Sequence, residues 1–199
     1  MYALVENNEI SKIITNPKTM VIGDVRYPAK IFQLWSQSEL NAIGIYEVIT
    51  DSTNFKDEKW YINTNESYAF ADNQVTRSWG TATPKAHADR NATDENGVEL
   101  NPVVVIEGLK TQLIRTLKQQ VSNELARTDW YITRNTEKST AIPSAISTHR
   151  DAVRTKQAEM ETAISNASDT PALETLYTYT EQDDGSVTRP LGELPTLES

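Results

Sequence analysis

Apolar residues recur at spacings of three and four along one stretch of the chain: Ile106, Leu109, Leu113, Leu117, Val121 and Leu125. That spacing places them on one face of a helix. A second stripe follows at Ile142, Ile146, Val153, Met160 and Ile164, interrupted by His149 and Arg150. Between the stripes stands Thr128-Asp129-Trp130-Tyr131. The pattern predicts two helices folded back on each other about this corner, with Trp130 closing the open end and fixing the angle. The first limb, about 21 residues from Ile106 to Ala126, spans roughly 30 Å. Thr133 to Thr140 reads as a polar loop, and Pro143 suits the first turn of the second limb. Neither stripe is stable in water, so each limb is expected to cover the other or a partner chain.

Before this hairpin the periodicity is two rather than three to four. Tyr2-Ala3-Leu4-Val5 and Lys12-Ile13-Ile14-Thr15 flank Glu6-Asn7-Asn8-Glu9, a hairpin turn. Val21, Ile22 and Val25 surround the Gly23-Asp24 turn. Ser36-Gln37-Ser38-Glu39 is a capping box opening a short helix that should stop at Gly44. Ile45 to Ile49 alternates as a strand. From Asp51 to Gly80 a β meander is expected, with strands at Lys59–Ile62, Ser67–Phe70 and Gln74–Trp79. Its aromatics read as strand core; as an alternative, Trp60, Tyr61 and Trp79 form a carbohydrate platform.

The predicted class is α+β. A β-rich N-terminal domain covers 1–80 and a linker or extended arm 81–105. The two-helix hairpin occupies 106–167, and a C-terminal β-hairpin and tail 168–199. Within the arm, a pair of edge strands closing on Val103-Val104-Val105 is the other reading. The terminal hairpin sets Leu176–Thr180 against Ser186–Arg189 about Asp184-Gly185 and should need a sheet to join. The stretch from Pro190 onward reads as a free or docked extension.

Composition narrows the function. Only 38 % of the residues are apolar and mean hydropathy is -0.54. That suits a multi-part protein that finishes its burial in an assembly, as a homo- or hetero-oligomer. A net charge of -9 argues against nucleic-acid binding, which needs a basic footprint. The charge is uneven: 107–167 carries 9 Lys+Arg and 7 Asp+Glu, whereas 168–199 carries 1 and 7. There is no cysteine, and the longest aliphatic run, Val103 to Ile106, is too short to cross a membrane. The first residues have neither a basic nor a long apolar region, so no signal peptide is expected.

No catalytic signature is present. The two histidines, His87 and His149, lie outside any Ser-His-Asp pattern or zinc spacing. Asp183-Asp184-Gly185 and Asp94-Glu95-Asn96-Gly97 lack the alternating oxygen ligands of a calcium loop. With 7 glycines there is no phosphate-binding loop. No enzyme activity, metal or cofactor is expected.

One pattern carries a resemblance. Leu125-Ala126-Arg127-Thr128-Asp129-Trp130-Tyr131-Ile132-Thr133-Arg134, then Ala141-Ile142-Pro143, His149-Arg150 and Val153-Arg154, resembles tailed-phage tail proteins of the tail assembly chaperone or tail-fibre-associated type. In that group a helix ends in a Thr/Ser-Asp-Trp corner with an Arg soon after. A Pro-started helix follows, with an aromatic-Arg pair and a second Arg a turn later. His149 stands where an aromatic is usual. The resemblance covers about 30 of the 199 residues. The earlier Leu34-Trp35-Ser36…Gly44-Ile45-Tyr46 pattern is loosely similar to the β-rich heads preceding such hairpins. It implies a virion structural protein of the tail, in the baseplate or tail-fibre region, made in the host cytoplasm and bound to other tail proteins. The alternatives are a tail or tail-fibre assembly chaperone and a host-glycan-binding tip module. The expected protein-binding residues are Trp130, Tyr131, Arg134, His149, Arg150 and Arg154.

Overall fold

A computed structural model describes residues 1–197 and confirms the α+β class. The chain divides into two compact units, Met1–Thr83 and Pro84–Ser199. The division falls inside the stretch expected to be a linker.

The first unit opens with β1 (Tyr2–Glu6) and β2 (Glu9–Ile14), joined through Asn7 and Asn8 at φ 52° and 64°. Asparagine tolerates that left-handed region, and two such residues make the tight hairpin turn. β3 (Met20–Ile22) and β4 (Val25–Tyr27) form a second hairpin about Gly23-Asp24, as the turn residues predict. α1 (Ile31–Leu34) precedes α2 (Gln37–Ala42), whose capping box is complete: the Ser36 hydroxyl accepts from the Glu39 amide, and Glu39 accepts from the Ser36 amide at 2.7 Å. Gly44 ends the helix at φ 82°, where a Cβ would also meet the Val5 carbonyl at 2.6 Å. Then come β5 (Ile45–Thr50), the two-residue β6 (Tyr61–Ile62), β7 (Ser67–Ala71) and β8 (Gln74–Ser78).

These strands do not form a simple meander. The sheet order is β2-β1-β5-β8-β7, with β5 and β8 parallel and β6 outside it. Trp60 and Tyr61 are buried even so, because the loop carries them inward. Alternation along the strands splits the apolar residues between two faces. Ala3, Val5, Val48 and Val75 pack on one face. Leu4, Ile14 and Ile45 pack on the other beneath Ile31 and Leu40 of the short helices. A register shift between Leu4 and Val5 is a bulge that bends the sheet, and β2 comes into contact with β7.

Residues 81–105, which run across the division into the second unit, are structured in short pieces. β9 (Thr83–Pro84) begins at the junction. β10 (Arg90–Asn91) pairs antiparallel with β11 (Val105–Ile106), with a Thr93–Glu99 bridge between them. The edge-strand reading therefore describes this segment better than a free arm. Ile106 belongs to β11, so the first long helix, α3 (Leu109–Ala126), starts later than its stripe suggests. Gly108 does more than weaken that start. A Cβ there would collide with the Ala88 backbone, so glycine allows the bend at His87-Ala88 to cross the helix N-terminus. Asp89 completes the cap by accepting from the Gly108 amide at 2.8 Å and the Thr111 hydroxyl at 2.9 Å.

After α3 the expected loop is instead a helix, α4 (Asp129–Lys138), stopped by Ser139 in the left-handed region at φ 51°. α5 (Ser144–Asn166) follows Pro143 as predicted. Its antiparallel course against α3 is fixed by pairs at both ends: Lys110 Nζ donates to the Ser165 carbonyl at 2.8 Å, and His149 meets Glu124 at 3.0 Å. Leu109, Leu117 and Val121 are buried with Ile146, Val153, Met160 and Ile164, so the two stripes do cover each other.

Leu176 and Tyr177 lie in a helix, not a strand. α6 (Thr170–Tyr177) is capped by Asp169, with Pro171 in its first turn. The terminal hairpin shrinks to β12 (Thr180–Glu181) and β13 (Val187–Thr188), and it joins no other strand among the described residues. The tail beyond it is docked. Leu191 is buried, its amide donating to Leu176, and Gly192 lies beside Lys156 of α5. The Leu197 amide reaches the Glu124 carboxylate.

Candidate protein-interaction surface at the helical corner

The corner is organised by Arg150. Its guanidinium is buried, and one nitrogen, Nη1, serves three acceptors. They are the Leu125 carbonyl at 2.8 Å, the Thr128 hydroxyl at 2.7 Å and Asp129 Oδ1 at 2.9 Å. The Leu125 carbonyl lies in the last turn of α3, where the negative end of the macrodipole favours a cation. Thr128 is fully buried and donates its own proton to the same carbonyl at 3.0 Å. The residues of the Thr-Asp corner and the Arg of the following helix thus form one latch joining α3, α4 and α5. Asp129 interacts across the corner with an Arg, as its placement suggests.

His149, next to Arg150 on α5, is also buried and sets its Nε2 against Glu124 at 3.0 Å. Burial alone would raise the Glu124 carboxyl. The Arg127 guanidinium, the His149 ring and the Leu197 amide outweigh that and hold it below its ordinary value. Glu124 therefore gathers α3, α5 and the docked tail on one carboxylate. Nothing local marks Glu124 for this role, because His149 and Leu197 lie far toward the C-terminus from it.

The predicted interaction residues separate into two groups. His149 and Arg150 face inward and hold the corner together. Trp130, Tyr131 and Arg134 lie together on α4, which buries none of its residues. The Trp130 and Tyr131 rings are stacked at 3.8 Å between centroids. The Arg134 guanidinium lies 4.9 Å from the Trp130 ring and 5.7 Å from the Tyr131 ring. Trp130 is 51 % exposed, so it does not plug the hairpin; the latch below it does that work, and α4 turns the indole outward. Arg154 is exposed and pairs with Asp151 at 3.4 Å on the same helix, outside the stacked group.

Among the described residues, no group of three or more His, Cys, Asp or Glu could hold a metal ion. No helix there is long and apolar enough to cross a membrane. The carbohydrate-platform residues are not available as a set. Trp60 and Tyr61 are each 3 % exposed, and Trp79 packs edge-on against Phe55 at 4.8 Å. Ile132, also on α4, is exposed as well. Comparisons of the chain with family models, curated proteins and solved structures found no match.

Proposed function

We propose that this protein is a structural component of a bacteriophage tail, in the baseplate or tail-fibre region, working by protein–protein contact rather than catalysis. One observation carries the reading. The residues that resemble the phage tail motif, Thr128, Asp129 and Arg150, form a single latch whose threonine and arginine are buried, and the motif's Trp130 is presented to solvent with Arg134 over its ring. A large aromatic held outward on a short helix, with a cation over its ring, has the composition of a binding hot spot. Solvated helix surfaces do not need such a platform, and it makes no contribution to the core of its own chain.

The test is particle composition. Virions of a phage encoding this chain are purified and their proteins counted by mass spectrometry. Peptides at stoichiometric copy number support a retained tail part. Abundant peptides in the infected cell with none in the particle would replace this reading with that of an assembly chaperone.

A further inference from the structure

We infer that this chain associates head-to-tail with copies of itself, the aliphatic segment before α3 of one molecule seating on the Trp130–Arg134 corner of the next. This rests on the corner being a protein-binding face and names what occupies it.

The first partner surface is the segment closing on β11. Val98, Leu100, Val103, Val104, Val105 and Ile106 are between 37 and 63 % exposed. Four of them are consecutive, and successive strand residues point to opposite faces, so neither face of this segment is covered. Isolated exposed aliphatics are ordinary, but a contiguous set rimmed by polar groups marks an interaction site. The rim is acidic: residues 89–107 contain five carboxylates and one arginine. Glu99 lies between Val98 and Leu100 in sequence, and its carboxylate accepts from the Asn91 side-chain amide at 3.1 Å.

The second surface is the corner, which has the complementary character. Trp130 is exposed, with the Arg134 guanidinium 4.9 Å from its ring. Arg134 has no carboxylate partner among the described residues, and its Nε is buried without an acceptor. A cation already drawn out of water against aromatic rings favours an anion in apolar surroundings, which Glu99 supplies.

Geometry makes the pairing intermolecular. Val105 and Ile106 lie just before the N-terminus of α3, and the corner lies at its other end. An 18-residue helix is about 27 Å long, so one molecule's segment does not reach its own corner. Two different, complementary surfaces at opposite ends of a rigid helix pair give a heterologous contact, which closes into a ring or continues as a filament.

The experiment is sedimentation velocity of the full chain over a concentration series, with far-UV circular dichroism to confirm that each variant is folded. Wild type is expected to grow past dimer as concentration rises. Val105→Asp and Arg134→Glu, both at exposed or half-exposed positions, should each weaken association by about tenfold or more. Mixed together, these two variants should stop at a one-to-one dimer, because each retains one intact end. The combined Glu99→Arg, Arg134→Glu variant should recover growth that either change alone removes. A monomer at every concentration overturns the inference. So does a dimer that never grows and ignores Arg134→Glu, which would be a symmetric contact. Stoichiometric incorporation into particles by a chain that is monomeric in solution would leave the proposed function standing and remove only this inference.

Discussion

Arg150 and Asp129 meet at 2.9 Å across the corner, but the arginine is buried whereas the aspartate side chain is 59 % exposed. The asymmetry decides what each contributes. Removing Arg150 takes a charged donor from three acceptors and empties a buried position in the corner, and charge-assisted hydrogen bonds lost inside the protein are costly. Arg150→Ala should destabilise the chain by about 3 kcal/mol. Asp129→Ala should cost about 1 kcal/mol or less, because water screens that partner. Urea denaturation of both single variants and the double variant measures the two effects and their coupling. Equal losses for the two single variants would contradict this division.

Trp130 should matter more for binding than for folding. Half of its surface is already in water, so Trp130→Ala is expected to lower stability by about 1–2 kcal/mol, less than a buried tryptophan would. Thr128→Ala, two residues earlier, removes a buried hydroxyl that both accepts from Arg150 and donates to Leu125, and should cost more. Thermal melts of the pair test the order. A larger drop for the tryptophan would restore its role as a plug.

Gly108 is required for space rather than for an unusual backbone angle. Its φ of -81° suits any residue, yet a methyl group there would collide with the Ala88 carbonyl. Gly108→Ala should destabilise the start of α3 by about 1–3 kcal/mol. Hydrogen exchange should show the loss at Leu109 and Lys110, whose amides donate to the Ala86 and His87 carbonyls at 3.0 Å.

Acid should loosen the joint around Glu124. Its carboxyl is held below the ordinary value of 4.5 in the folded chain. A depressed carboxylate contributes stability above its unfolded pKa and loses it as pH falls through the folded one. Glu124→Gln should therefore be less stable than wild type at neutral pH. The difference should narrow on acidification below about pH 4.5. Denaturation midpoints of the two proteins between neutral and acid pH check the sign, and a gap that stays constant would show that the charge is not what holds the joint.

Much of the first unit was legible because its signals are local. The Asn7-Asn8 turn, the Ser36–Glu39 box and Gly44 each act within a few residues, so composition and spacing suffice to place them. The same holds for the α3 and α5 stripes. α6 is the opposite case: the alternation of Leu176, Tyr177, Thr178 and Tyr179 reads as a strand, and in that reading it outweighs the helix signals at Asp169 and Pro171. A cap and a first-turn proline report helix directly, whereas a short alternation is compatible with either element.

By itself the sequence determined an α+β chain whose two apolar helical stripes must be covered, by each other or by a partner, and it marked the Thr128–Arg134 corner as unusual. Only the tertiary structure decided that β8 runs parallel to β5, that His149 and Arg150 face inward, and that Trp130 faces outward. The reason is range. A turn or a cap is settled by neighbours whose energies the local residues already contain. The direction of an arginine depends on which carbonyls, more than twenty residues away, the folded chain brings within hydrogen-bonding distance.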